Sequence, residues 1–245
     1  MSKPTIVFVP GAFHTPDYYD GVRSLLEEKG STTTTVSLPS VGSTASMSDD
    51  AAAIHAVTSK LADDGHRIVL VMHSYGGIPG TQSAKDLSLK SRQEAGKPGG
   101  IVALVYLAAY LLKEGMSVFN QAWSADVPDF LRFEDGLIYY EESAATRILY
   151  SDFLPEHNAA SLAATIKPHS VASWMEELTY AAHRDIPATY LVCKNDKSVP
   201  LEVQKKFVGY AEGGISTVEC EAGHTPIVSV PGVVVETILK AAGES

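Results

Sequence analysis

Apolar positions fall into short unbroken runs separated by longer stretches with helical spacing. Thr5–Val9 is an apolar run stopped by Pro10-Gly11, which predicts a buried strand. Residues 18–29 carry Val22, Leu25 and Leu26 at helical spacing and stop at Gly30, predicting a glycine-capped helix. β-branched threonines favour a second strand over 33–38, closed by Pro39. Ser48, followed by Asp49 and Asp50, predicts the start of a helix reaching residue 61, with its acids at the positive end of the helix dipole. Further strands are predicted over 67–72, 101–108, 186–193 and 215–220, and helices over most of 75–94, near 201–210 and near 233–241. Apolar strands alternating with helices imply an α/β fold, a mostly parallel sheet of about six strands covered on both faces.

One stretch breaks the rhythm. Residues 113–184 contain no comparable buried strand and are dense in large rings, among them Phe119, Trp123, Phe130, Tyr140, Tyr150 and Trp174. About seventy residues is far longer than an ordinary connection. The pattern predicts one core domain, residues 1–112 and 185–245, carrying a helical insertion at 113–184 that covers it as a lid.

Composition narrows the class. The chain has 245 residues, 45% of them hydrophobic and 20% charged, enough apolar material for a single large packed core. A formal charge of −10 disfavours nucleic acid and anionic membrane as partners. The N-terminal apolar run is too short for a signal segment, and the run 101–112 falls well below the ~18 residues of a membrane-spanning helix. A soluble, cytoplasmic protein is expected, either monomer or homodimer. Cys193 and Cys220 make neither a disulfide framework nor a metal site and read as buried, reduced thiols.

The strongest chemical signal is Val69-Leu-Val-Met-His-Ser-Tyr-Gly-Gly77, a strand running through His73-Ser74-Tyr75 into a helix. A nucleophilic serine needs this context, a sharp turn with small neighbours that aims the hydroxyl off the sheet. Met72 stands where the common motif has glycine. A serine also needs a base and an acid to orient that base, each expected in a loop after a late strand. Asp196 follows the strand ending at Cys193, and His224 follows the strand ending at Cys220. The predicted catalytic set is therefore Ser74, His224 and Asp196. His73 is expected to serve packing only. Asp185 lies at the wrong edge of the sheet, while Asp126, Asp129 and Asp152 sit in the insertion without a positional argument. His157, His169 and His183 read as structural or solvated.

Acyl transfer further requires donors to an oxyanion. The backbone N–H of Tyr75 is one; the loop after the first strand, through Ala12 or Phe13, is the other. His14, Trp123 and Trp174 are the expected pocket-lining residues. No phosphate-cradling glycine loop and no metal-ligand spacing occurs, so neither cofactor nor metal is expected.

At these motifs the sequence resembles the α/β-hydrolase superfamily, within it the small single-lid branch of plant methylesterases, hydroxynitrile lyases and microbial hydrolases. The resemblance runs from VFVPGAFH through HSYGG to KNDKSVP and AGHTPIVSVP. It implies Ser74 as nucleophile, Asp196 as acid, His224 as base, and Ala12 with Tyr75 as oxyanion donors, although Pro10 replaces the usual histidine of the loop. Lyases of this branch carry threonine at the place of Gly11 and lysine after the catalytic histidine, where this chain has Thr225. The function expected is a serine hydrolase acting on an ester or lactone of a small, largely apolar or aromatic metabolite. The alternatives are a cofactor-free lyase or isomerase on a polyketide-like metabolite, and a small-molecule receptor.

Overall fold

A computed structural model describes residues 3–122, 129–212 and 214–244. Its strands in chain order are β1 (Thr5–Val9), β2 (Thr32–Thr35), β3 (Arg67–His73), β4 (Gly100–Leu107), β5 (Leu131–Glu134), β6 (Leu137–Tyr140), β7 (His169–Ser170), β8 (Ala188–Cys193) and β9 (Ile215–Cys220). Six of them form the main sheet in the order β2-β1-β3-β4-β8-β9, with every neighbouring pair parallel. β1, β3, β4 and β8 are almost wholly buried, because helices cover both of their faces. β9 is an edge strand and alternates between half-buried and exposed, so Cys220 is half-buried whereas Cys193 is buried.

Local departures from the expected elements have plain causes. β2 ends at Thr35, before the apolar residues Val36 and Leu38, which lie buried in the chain that follows. The long helix spans Met47–Asp63 and is capped by Ser46, whose hydroxyl accepts the Asp49 N–H while the Asp49 carboxylate accepts the Ser46 N–H. That reciprocal pair out-competes the Ser48 start. Residues 75–94 split into two helices, Gly77–Ser83 and Leu89–Glu94.

The segment between β4 and β8 departs furthest from expectation. Its short helices are joined by an antiparallel sheet in the order β5-β6-β7, so it is not simply helical. β5 and β6 are four residues each and only partly buried, and β7 is two buried polar residues, so no long apolar run reveals them. β7 also touches the core, through a bridge from His169 to Val41 and the Ser170 N–H donating to the Ser40 carbonyl at 3.0 Å.

Close backbone approaches shape the turn after β3. A Cβ on Gly77 would lie 2.2 Å from the Tyr110 carbonyl oxygen, and one on Gly76 would lie 2.3 Å from that of Pro10. Met72 is accommodated from the helix side, since a Cβ on Gly80 would come within 2.6 Å of the methionine side chain. Gly77→Ala is therefore expected to destabilise the fold by about 1–3 kcal/mol through overpacking. Gly21→Ala, in a helix with open space around the position, should be neutral or stabilising. Thermal melts of the two variants check the contrast, and equal melting points would contradict it.

Candidate active site

β3 delivers His73 and then turns sharply. Ser74 has φ of 51°, a left-handed conformation that costs an L-residue about 1–2 kcal/mol. The turn lifts the Ser74 hydroxyl off the C-terminal edge of the sheet. The loops after β8 and β9 meet it there, at the edge where open α/β sheets bind ligands. The Ser74 Oγ lies 2.9 Å from His224 Nε2, and His224 Nδ1 lies 2.8 Å from Asp196 Oδ2. Nδ1 thus donates to the carboxylate, which leaves Nε2 as the acceptor facing the hydroxyl. In this tautomer the imidazole can take the serine proton. The three residues are only 8%, 2% and 5% exposed in the order Ser74, His224, Asp196, so water does not screen the pair.

Each loop is held from behind. Asp196 Oδ1 accepts the N–H groups of Ser198 and Val199 at 2.7 and 2.9 Å. The buried Gln204 amide accepts from the Cys193 N–H and donates to the carbonyls of Cys193 and Val199, tying the strand end to the loop. His73 does more than pack: its Nε2 lies 2.8 Å from the His224 carbonyl oxygen, and its Nδ1 lies 3.1 Å from the Tyr19 hydroxyl, which also receives the Gly11 N–H. His73 therefore joins the base loop to the loop after β1. Asp152 also has a place, since its Oδ2 accepts the Gly223 N–H at 2.7 Å, beside His224. Only the chain reversal of the inserted segment brings it there, so sequence spacing carries no sign of it. Asp185 instead accepts a hydrogen bond from the Tyr180 hydroxyl, away from this cluster.

The loop after β1 makes a tight turn in which the His14 N–H donates to the Gly11 carbonyl at 3.4 Å, with Phe13 at φ 68°. Among the described residues, none accepts a hydrogen bond from the N–H of Ala12 or Phe13. Tyr75 is fixed by its phenol, which donates to Asp50 Oδ2 at 2.6 Å; Asp50 also accepts from the Ser40 N–H and hydroxyl. Burial holds the Asp50 carboxyl above its ordinary range, opposed by these donors.

A cavity of about 160 Å³ opens over Ser74 and His224. Ala12, Phe13, His14 and Tyr75 line it, and its walls are largely apolar: Val118, Phe130, Leu131, Tyr140, Leu149, Trp174, Val199 and Val203. Lys197 is its one lysine or arginine among the described residues. Trp174 stands where expected, packed edge-on against Phe13 at 5.8 Å; Trp123 lies outside the described residues, as does Asp126. His14 lies 2.6 Å from the Ala12 carbonyl oxygen and 3.0 Å from the Tyr150 hydroxyl. Thr225 donates to the Leu149 carbonyl at 2.9 Å. Among the described residues, no group of three or more His, Cys, Asp or Glu could hold a metal, and no helix is long and apolar enough to cross a membrane.

Comparison with known proteins gives the family. The family model described as "Alpha/beta hydrolase family" matches residues 6–237. The alpha/beta hydrolase nvfD of Aspergillus novofumigatus is 33% identical over 250 residues, covering 100% of this chain and 99% of that protein. Among solved structures, a pyrethroid hydrolase from Sphingobium faniae JZ-2 superposes with a TM-score of 0.78 at 19% identity, over 98% of this chain and 97% of that one. The methylesterase MES16 from Arabidopsis does so with a TM-score of 0.74 at 20% identity, over 98% and 99%. At these identities the structural likeness concerns the fold.

Burial gives the site a pH signature. The pKa of His14 is lowered from 6.5 to about 4 and that of His169 from 6.5 to about 3, in both cases chiefly because burial disfavours the charged ring. Below pH 6.5 the unfolded chain takes up protons that these folded rings refuse, so stability present above that pH is lost as pH falls toward 4. Each ring contributes a slope of about 1.4 kcal/mol per pH unit in that window. Urea midpoints measured from about pH 7 to about pH 5 should fall, and less steeply in His169→Asn. An unchanged slope in that variant would show that the ring titrates normally in the fold.

Proposed function

The chain belongs to the alpha/beta hydrolase family, and on that premise we propose that it is a serine hydrolase cleaving a carboxylic ester or lactone of a small, largely apolar or aromatic metabolite. The observation that carries this reading is the unbroken hydrogen-bond chain Ser74–His224–Asp196 at the floor of an apolar cavity.

In the reaction proposed, Ser74 Oγ attacks the substrate carbonyl carbon as His224 Nε2 takes its proton. Asp196 steadies the imidazolium and holds its orientation. The backbone N–H groups of Tyr75 and of the Ala12–Phe13 turn receive the developing oxyanion, each such donor being worth about 3–4 kcal/mol. His224 then protonates the departing alkoxide. Water next occupies that place, gives a proton to the same nitrogen and releases the acid from Ser74. A lactone follows the same steps with both products remaining one molecule. The segment 113–184 acts as the roof that excludes bulk water, with Trp174, Leu131 and Tyr140 contacting the apolar part of the substrate. Gly11 and Thr225 support the hydrolase reading over a lyase one, since the Thr225 hydroxyl is committed to the Leu149 carbonyl.

Hydrolysis of p-nitrophenyl esters from acetate to octanoate tests the proposal. Ser74→Ala should lower kcat by roughly 10⁶, and Asp196→Asn by about 10⁴ with the fold intact. Chain-length preference sizes the cavity. Full activity in Ser74→Ala would remove the proposed nucleophile, and a wild type inert toward every ester and lactone offered would sink the reaction itself.

A further inference from the structure

Cys193 and Cys220 are the only two cysteines of the chain, and the chemistry proposed above uses neither. They are the last residues of β8 and β9 and face each other in register. Opposed residues on neighbouring strands stand about 4.8 Å apart, within the roughly 4.4–6.8 Å Cα separation that a disulfide spans. Their sulfurs are 3.8 Å apart, in a cluster with the small side chains Ala108 and Ala222.

The two thiols are not equivalent. Cys193 is buried, whereas Cys220 is half-buried on the edge strand, where a small solute can reach it. The Cys193 thiol donating to it, helped by the Ala222 backbone N–H, draws the Cys220 pKa down from 9.0 to about 7, against burial and the carboxylates of Asp152 and Glu221. Cys193 is held well above its usual value, chiefly by that same thiol contact and then by burial. One sulfur is thus the ready thiolate, and the other a protonated partner in van der Waals contact with it.

Their position ties them to the site. The Asp196 N–H donates to the Cys193 carbonyl at 3.3 Å, the Lys194 N–H to that of Cys220 at 2.9 Å, and the Asn195 N–H to that of Ala222 at 3.1 Å. The loops carrying Asp196 and His224 therefore spring from these two residues. A disulfide would draw the sulfurs from 3.8 Å to about 2.05 Å, pulling on the roots of a carboxylate–imidazole contact of 2.8 Å.

We propose that Cys193 and Cys220 form a peroxide-reactive dithiol, and that its closure to a disulfide lowers turnover by displacing Asp196 from His224. The Cys220 thiolate attacks one oxygen of hydrogen peroxide, breaking the O–O bond to give a sulfenic acid and hydroxide, which a solvent proton converts to water. The Cys193 sulfur then attacks the sulfenic sulfur, forming the S–S bond; the expelled hydroxide leaves as water with the proton that Cys193 gives up. Two thiols are oxidised and one peroxide is reduced to two waters. An external dithiol reverses the change. The modification rests on the cysteine pair itself, whereas its effect on turnover also rests on the hydrolase reading of Ser74.

The experiment treats the reduced protein with hydrogen peroxide and follows intact mass, peptide linkage and ester hydrolysis. The expected result is loss of two hydrogen atoms, a peptide pair joined through Cys193 and Cys220, and a fall in kcat of about tenfold or more, restored by dithiothreitol. Cys220→Ala, active before treatment, should keep its activity under the same peroxide. Two thiols that both stay alkylatable, or Cys220 running on to sulfinic acid without closing the pair, would overturn the dithiol. A disulfide that leaves turnover unchanged would overturn its control of the site. If the reduced protein cleaves no ester, the proposed reaction fails while the mass readout still judges the pair. The rate at which a fluorophosphonate labels Ser74 in the two states then replaces turnover as the second readout.

Discussion

The backbone turn at Ser74 leaves no space for side chains around it, and much of the molecule is arranged to respect that constraint. The strand has to deliver the serine at a left-handed φ of 51° and leave at once as a helix. The helix start then passes so close to the ends of β1 and β4 that Gly76 and Gly77 face the carbonyl oxygens of Pro10 and Tyr110. A Cβ on Gly11 would likewise approach the Ser74 Cβ to 3.0 Å. These approaches bring the loops after β1 and β4 against the turn that carries the hydroxyl. They also explain how Met72 takes a place usually held by glycine, because Gly80 one helical turn on gives up the volume.

Geometry at the hydroxyl then depends on buried polar groups that hold the loops to one another. His73 links the His224 carbonyl to the Tyr19 hydroxyl and, through it, to Gly11. Burial pushes the His73 pKa well below 6.5, with the neighbouring rings of His224 and His14 adding to the effect, so it serves as a neutral connector. Asp50 anchors the Tyr75 phenol, and Gln204 pins the Asp196 loop to the end of β8. Such groups are costly to bury unless fully partnered. Partnered, they convert the rigidity of the sheet into fixed positions at its edge.

The segment between β4 and β8 joins this framework at several points. Lys167 donates its N–H to the Phe13 carbonyl, Tyr150 meets His14, Asp152 holds Gly223 and Thr225 reaches the Leu149 carbonyl. The segment that supplies much of the cavity's lining is therefore fastened to the same loops that carry the polar groups of the site. Deforming this segment would disturb the loops as well, which couples the shape of the apolar wall to the alignment of Ser74 and His224.

Local chemistry made the core fold legible. Apolar runs identified five of the six main-sheet strands to within two residues at each end, while the predicted second strand ran three residues past Thr35. Motif order singled out Ser74, Asp196 and His224, which the fold brings into one hydrogen-bonded line. These features depend on nearest neighbours in sequence: strand periodicity, glycine at a tight turn, a polar residue directly after a strand. The tertiary structure alone decided the rest. The strands of the sheet β5-β6-β7 are too short to mark themselves, and the roles of His73, Asp50 and Asp152 arise from partners 151, 25 and 71 residues away. The contact of Cys193 with Cys220 likewise exists only because β8 and β9 pair in parallel register. Hydrogen bonds and sulfur contacts across such separations are set by how the layers close on each other, and no local pattern of residues encodes that closure.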